Sequence, residues 1–144
     1  MRWDTLPVGG LGAITTVIGV IVMARGVGLG TPEPILGVVT ISGSILLWRG
    51  AVLTAAGAMY LSGASGGLTD RESQATVVMA SLMIWVVAGS DLLATVLGAI
   101  PGGSGVWIAP PEAIVAALGP PYTPAVLLAV LALATLRYTG VTRP

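Results

Sequence analysis

Four apolar runs, separated by short breaks rich in Gly and Pro, restrict this chain more than any other feature. They cover residues 6–24, 35–62, 75–100 and 121–138, and only Arg49 and Asp91 place a charge well inside a run. A bilayer core about 30 Å thick is crossed by roughly 20 apolar helical residues. Inside lipid every backbone polar group must find a partner, and a helix supplies those partners within its own segment. The runs therefore predict an all-α, polytopic integral membrane protein. Residues 1–144 would form a single transmembrane domain, a four-transmembrane-helix bundle with the lipid bilayer as its first partner.

Composition narrows the function classes. The chain is 55% hydrophobic and 8% charged, whereas soluble domains are about 25% charged. Its six basic residues are balanced by six acidic ones, so it lacks the excess positive charge that neutralises nucleic-acid phosphates, and no nucleic-acid partner is expected. There is no Cys, His or Lys, which removes thiolate and imidazole ligands, the commonest general base and Schiff-base chemistry. No metal and no cofactor are expected, and no catalytic residue can be nominated. Arginine fills every basic position beside abundant Ala, Gly, Val and Thr, a usage that points to a GC-rich source such as a halophile.

The breaks set the organisation. Arg25 and the Gly-rich stretch 26–30 end the first run, and Pro32 and Pro34 open the second. Thr69-Asp70-Arg71-Glu72 has the pattern of a capping box, in which the two end side chains satisfy free amides at a helix start. Pro101-Gly102-Gly103 closes the third run. Prolines 120, 121 and 124 then remove amide donors and obstruct a continuous helix. They predict a short interfacial or re-entrant helix at 111–118 followed by the last span, with one kinked helix over 112–138 as the other reading. Tyr122 and Tyr138 would flank that span about 24 Å apart, and with Trp107 they are the expected interfacial anchors. Trp3, Trp48 and Trp85 divide between anchoring and packing. Arg2 and the first run also trace the outline of a signal peptide, but the segment is expected to remain as a span. Four crossings put Arg2, Arg71, Arg137 and Arg143 on one side and Arg25 on the other, so the positive-inside rule predicts both termini in the cytoplasm.

Arg49 and Asp91 are the candidate functional residues, since either at a helix centre is charged about 2.5–3.5 kcal/mol on insertion scales. Measured along antiparallel helices from Pro34 and Pro101, their depths differ by about 7 Å, which the long arginine stem can span. They could form a static ion pair between the second and third spans, or an ion or lipid site. Gly43, Gly50 and Gly57 recur every seven residues with Thr54 on the same side, and such spacing stays near one helix face. It predicts a helix-packing seam, because small residues let backbones approach closely. The seam could lie inside one bundle or between subunits. Taken together, these features predict a non-enzymatic structural or assembly subunit. It would pack with other membrane subunits or as a homo-oligomer, in a cell membrane or the internal membrane of a virion. The other reading is a small oligomeric transporter or channel using Asp91 and Arg49.

Overall fold

A computed structural model describes residues 5–29, 46–98, 112, 115 and 122–138. Every element with a described range is helical. Helix α1 spans Thr5–Gly26, α2 Leu46–Gly66, α3 Arg71–Gly98 and α4 Pro124–Ala132, and α4 runs on as a 3-10 helix over Leu133–Tyr138. Two of these are long and apolar enough to cross a membrane: α1, with a mean hydropathy of 2.1, and Arg71–Leu97 of α3, with 2.0. The sequence predicted four. In the second run, residues 35–45 lie outside the described residues, and over the rest Arg49 and the glycines and serines of α2 dilute the apolar character. The last run yields only the shorter apolar helix Pro124–Tyr138. Of the predicted 111–118 helix, Glu112 and Val115 are helical and exposed, and its other residues lie outside the described set.

Local chemistry fixes the helix ends. After α1, Gly28 adopts φ 88°, its N–H bonds the Arg25 carbonyl at 3.0 Å, and the Leu29 N–H reaches back to the Ala24 carbonyl at 3.0 Å. These two bonds make a Schellman motif, which satisfies carbonyls that the helix itself leaves open. The turn into α3 departs from the predicted capping box by one residue. Asp70 is the cap, and its Oδ2 accepts from the Ser73 N–H at 3.2 Å. The Gln74 side chain closes the same turn by donating to the Leu68 carbonyl at 2.7 Å.

The tightest packing is between α1 and α2, which run antiparallel with Gly12 opposite Gly57 and Gly19 opposite Gly50. A methyl group on Gly19 would lie 2.5 Å from the Thr54 backbone nitrogen, and one on Gly50 would lie 2.6 Å from that of Met23. Backbone cannot swing aside as a flexible side chain can, so each position admits only hydrogen. The relation is reciprocal: a Cβ on Gly19 would meet the Gly50 carbonyl oxygen at 3.0 Å, and one on Gly50 the Gly19 oxygen at 2.8 Å. Gly50 and Gly57 of the predicted seam thus pack against α1 of the same chain. Gly43 lies outside the described residues.

The remaining core joins α2, α3 and α4. Leu53, Ala56 and Tyr60 of α2 meet Val77, Ala80, Ile84 and Val87 of α3, and Ala125 and Leu128 of α4 complete the cluster. By contrast α1 scarcely touches α4. The outward faces are apolar too: Ile14, Val17 and Val20 on α1, and Met79, Val86, Leu93 and Leu97 on α3, are each half or more exposed.

The seam yields a paired prediction. Gly19→Ala should lower unfolding stability by about 1–3 kcal/mol, the usual result of forcing volume into a packed contact. Gly89→Ala, where a Cβ would meet nothing within 4 Å, should leave stability unchanged or raise it by up to about 1 kcal/mol through helix propensity. Denaturant titration of the two purified variants checks both signs.

Candidate functional site

The α2–α3 turn sets the register of this helix pair. Near the turn, a Cβ on Gly63 would come 2.7 Å from the Val77 side chain. Further along, Tyr60 stands beside Ser81, and near the far end Arg49 meets Asp91. Each step along α2 is matched by a similar step back along α3, so the same antiparallel alignment that packs the core brings the two charges together.

Arg49 Nη2 lies 2.5 Å from Asp91 Oδ1, with the arginine side chain 25% exposed and the aspartate 3%. That oxygen makes no angularly aligned hydrogen bond, so the contact is an ion pair set by distance and charge. The asymmetric burial matters. Asp91 is almost fully buried and would be left as a buried charge without Arg49, whereas Arg49 retains a path outward along its stem. Charge cancellation inside the helix pair is the arrangement's direct chemical consequence. The Asp91 backbone carbonyl also accepts from Thr95 Oγ1 at 2.9 Å.

A second polar set, absent from the sequence reading, links three helices. Tyr60 Oη lies 2.8 Å from Ser81 Oγ, and Ser81 Oγ lies 2.6 Å from Thr135 Oγ1. All three residues are buried to 2% exposure or less. Ser81 also reaches the Val77 carbonyl at 2.9 Å, and Thr135 the Ala132 carbonyl at 2.6 Å. One proton per hydroxyl leaves three protons for these four contacts. If Tyr60 donates to Ser81, Ser81 to Thr135 and Thr135 to the Ala132 carbonyl, the three hydroxyl protons are all used and the polar row is closed. Each hydrogen bond contributes about 0.5–1.5 kcal/mol net, but leaving one of these groups unpaired costs about 1–3 kcal/mol. The row therefore selects one alignment of α2, α3 and the last helix.

Thr135 lies in the 3-10 segment, and six residues is a long run for that geometry. Three carbonyls at its junction with α4 are engaged. At the end of α4 the cap N–H groups bond the Val130 and Leu131 carbonyls, while the Trp85 indole N–H donates to the Ala129 carbonyl at 3.0 Å. Trp85 thus supplies a partner where the backbone ladder tightens. The tightening also lengthens the helix, since 3-10 geometry rises about 2.0 Å per residue against 1.5 Å in an α-helix.

The other nominated residues are dispersed. Thr54 sits on the α1–α2 seam, its Oγ1 donating to the Gly50 carbonyl at 2.8 Å and lying 3.8 Å from Met23 Sδ. Tyr122 is half-buried just ahead of α4. Tyr138 closes the 3-10 segment and packs on the core, with the Arg137 guanidinium 4.8 Å above its ring. Its hydroxyl is buried without a hydrogen-bond partner among the described residues, unlike the wet hydroxyl of an aromatic belt. Trp107 lies outside the described residues. The sequence reading also missed Gly12 and Gly19, whose seven-residue spacing in the first run repeats that of Gly50 and Gly57.

The ion pair predicts an asymmetric mutant series. Arg49→Leu should destabilise the chain by about 3–5 kcal/mol, because it strands a buried carboxylate. Asp91→Leu should cost less, since the freed arginine can reach outward. The double variant should recover most of the loss, as replacing both members of a buried pair with apolar groups is often near neutral. Unfolding titrations of the four proteins in one detergent measure the coupling.

No family model, no curated protein and no solved structure matches this chain.

Proposed function

We propose that this chain is a non-enzymatic structural subunit of a membrane, a four-span bundle that fills space among other membrane components. The observation that supports it most is the Arg49–Asp91 pair, in which the two charges of the middle runs meet each other instead of facing a route for ions. The Tyr60–Ser81–Thr135 row works in the same sense, tying polar groups of three helices together. Exposed apolar side chains on α1 and α3 support the membrane setting, because soluble monomers rarely expose contiguous apolar patches beyond a few hundred Å². The proposed spans are residues 6–24, 35–62, 75–100 and 121–138, with an interfacial helix at 111–118 and both termini on the cytoplasmic side. Assembly with other membrane subunits or with further copies belongs to the same proposal, and the outward faces of α1 and α3 are where such neighbours would pack. A transport role would build on the quarter of the Arg49 side chain that remains exposed.

The experiment combines topology with flux. Because the chain contains no Cys, single cysteines placed at residues 2, 30, 67, 104 and 143 report sidedness to a membrane-impermeant thiol reagent. The proposal expects labelling of positions 2, 67 and 143 from the cytoplasmic face and of 30 and 104 from the opposite face. It also expects reconstituted vesicles to show no proton or ion flux above protein-free controls. Flux abolished by Asp91→Asn would replace the structural reading with transport, and a labelling pattern with two sided segments would reject four spans.

A further inference from the structure

The place where α1 and the last helix fail to meet is a cleft of about 340 Å³. Such a volume falls within the range of small-molecule pockets, about 300–1,000 Å³. Its walls are Pro7, Gly10, Leu11 and Ile14 of α1 and Leu131 and Ala134 of the last helix. Thr135 also lines it, but that hydroxyl is engaged with Ser81 and the Ala132 carbonyl. An ordered water needs about 2–4 polar partners, and these walls offer a polar molecule little, whereas they suit a hydrocarbon chain.

Gly10 stands on the α1 wall of the cleft. Glycine in a helix interior is disfavoured by about 1 kcal/mol relative to alanine, and on the α1–α2 seam close approach explains it. Gly10, like Gly89, stands in open space, where a Cβ would meet nothing within 4 Å. Its missing side chain leaves the α1 wall open. Arg137 also lines the cleft, near the end of the last helix and stacked on Tyr138. In the proposed orientation this is the cytoplasmic end, where anionic lipids concentrate and where basic pockets between helices take lipid headgroups.

We propose that this cleft binds one acyl chain of an anionic phospholipid, with Arg137 meeting the headgroup phosphate. The inference rests on the membrane reading above and adds to it a lipid of defined charge. The protein and its Gly10→Leu and Arg137→Gln variants would be reconstituted in vesicles of phosphatidylcholine with about one-fifth phosphatidylglycerol, which supplies the anionic headgroup. Flotation then tests membrane insertion, and native mass spectrometry after mild detergent extraction counts retained lipids.

The wild type should float and retain one phosphatidylglycerol in preference to phosphatidylcholine. Gly10→Leu fills the cleft without a backbone clash and should weaken retention on the order of tenfold, as for the loss of about two buried methylenes. Arg137→Gln should weaken it about fivefold and remove the headgroup preference. Equal retention of both lipids, or undiminished retention by Gly10→Leu, overturns the proposal while leaving the membrane reading intact. A change of oligomeric mass in Gly10→Leu with lipid retention unaltered assigns the cleft to a second copy and likewise overturns it. Failure to float rejects the membrane reading itself, and the lipid site with it.

Discussion

The backbone contact between α1 and α2 is the constraint on which the rest of the structure depends. In the proposed membrane setting lipid tails are as apolar as leucine, so helices would gain little from hiding apolar side chains and would associate through close packing instead. Here that packing is carried by glycines on both partners. Gly12 and Gly19 face Gly57 and Gly50, and a Cβ on any of the four would run into the facing helix, including the carbonyl oxygen of its opposite glycine. With α1 fixed to one face of α2, the other face, carrying Leu53, Ala56 and Tyr60, is presented to α3. The charges and hydroxyls of α2 are then aimed at partners on a helix whose position is already set.

Polar groups in the bundle follow one rule applied at two strengths. Threonine and serine hydroxyls on the helices mostly bond the carbonyl one turn earlier, as Thr15, Thr16, Thr54 and Thr95 do, so they add no demand on tertiary structure. Ser81 and Thr135 exceed that local solution and bond each other across helices, with Tyr60 as the third member. The Arg49–Asp91 pair is the stronger case, because neither charge can be satisfied within its own helix. Such interactions add little net stability against an apolar alternative but penalise every misalignment. Close packing and the α2–α3 turn bring the helices together in one register, and the polar contacts penalise any other.

Much of this was legible in the residues, for identifiable reasons. Long, predominantly apolar runs are a one-dimensional signal, so α1 and α3 could be read directly. The spacing to Pro34 and Pro101 at helical rise predicts similar depths for Arg49 and Asp91, and the two side chains do meet. The Gly50–Gly57 spacing announced a seam without naming its partner. That partner is present in the same form, since Gly12 and Gly19 keep the identical spacing, but spacing alone does not pair one seam with another. Other features were not accessible in this way. The Tyr60–Ser81–Thr135 row joins residues far apart in sequence, each of ordinary type, and only the register of three helices makes them neighbours. The bond from the Trp85 indole of α3 to the Ala129 carbonyl, just ahead of the 3-10 end of the last helix, leaves no trace in the periodicity of residues 121–138.

The central claim is that the glycine seam closes within one chain, and thiol cross-linking tests it most directly. Met23 and Thr54 face each other across the seam, with Sδ and Oγ1 3.8 Å apart, and the natural chain has no cysteine to interfere. A Met23→Cys, Thr54→Cys variant should oxidise in membranes to an intrachain disulfide. It should migrate as a monomer, with a yield that excess lipid does not reduce. A cross-linked dimer that disappears on dilution with lipid would place the seam between subunits and contradict the account.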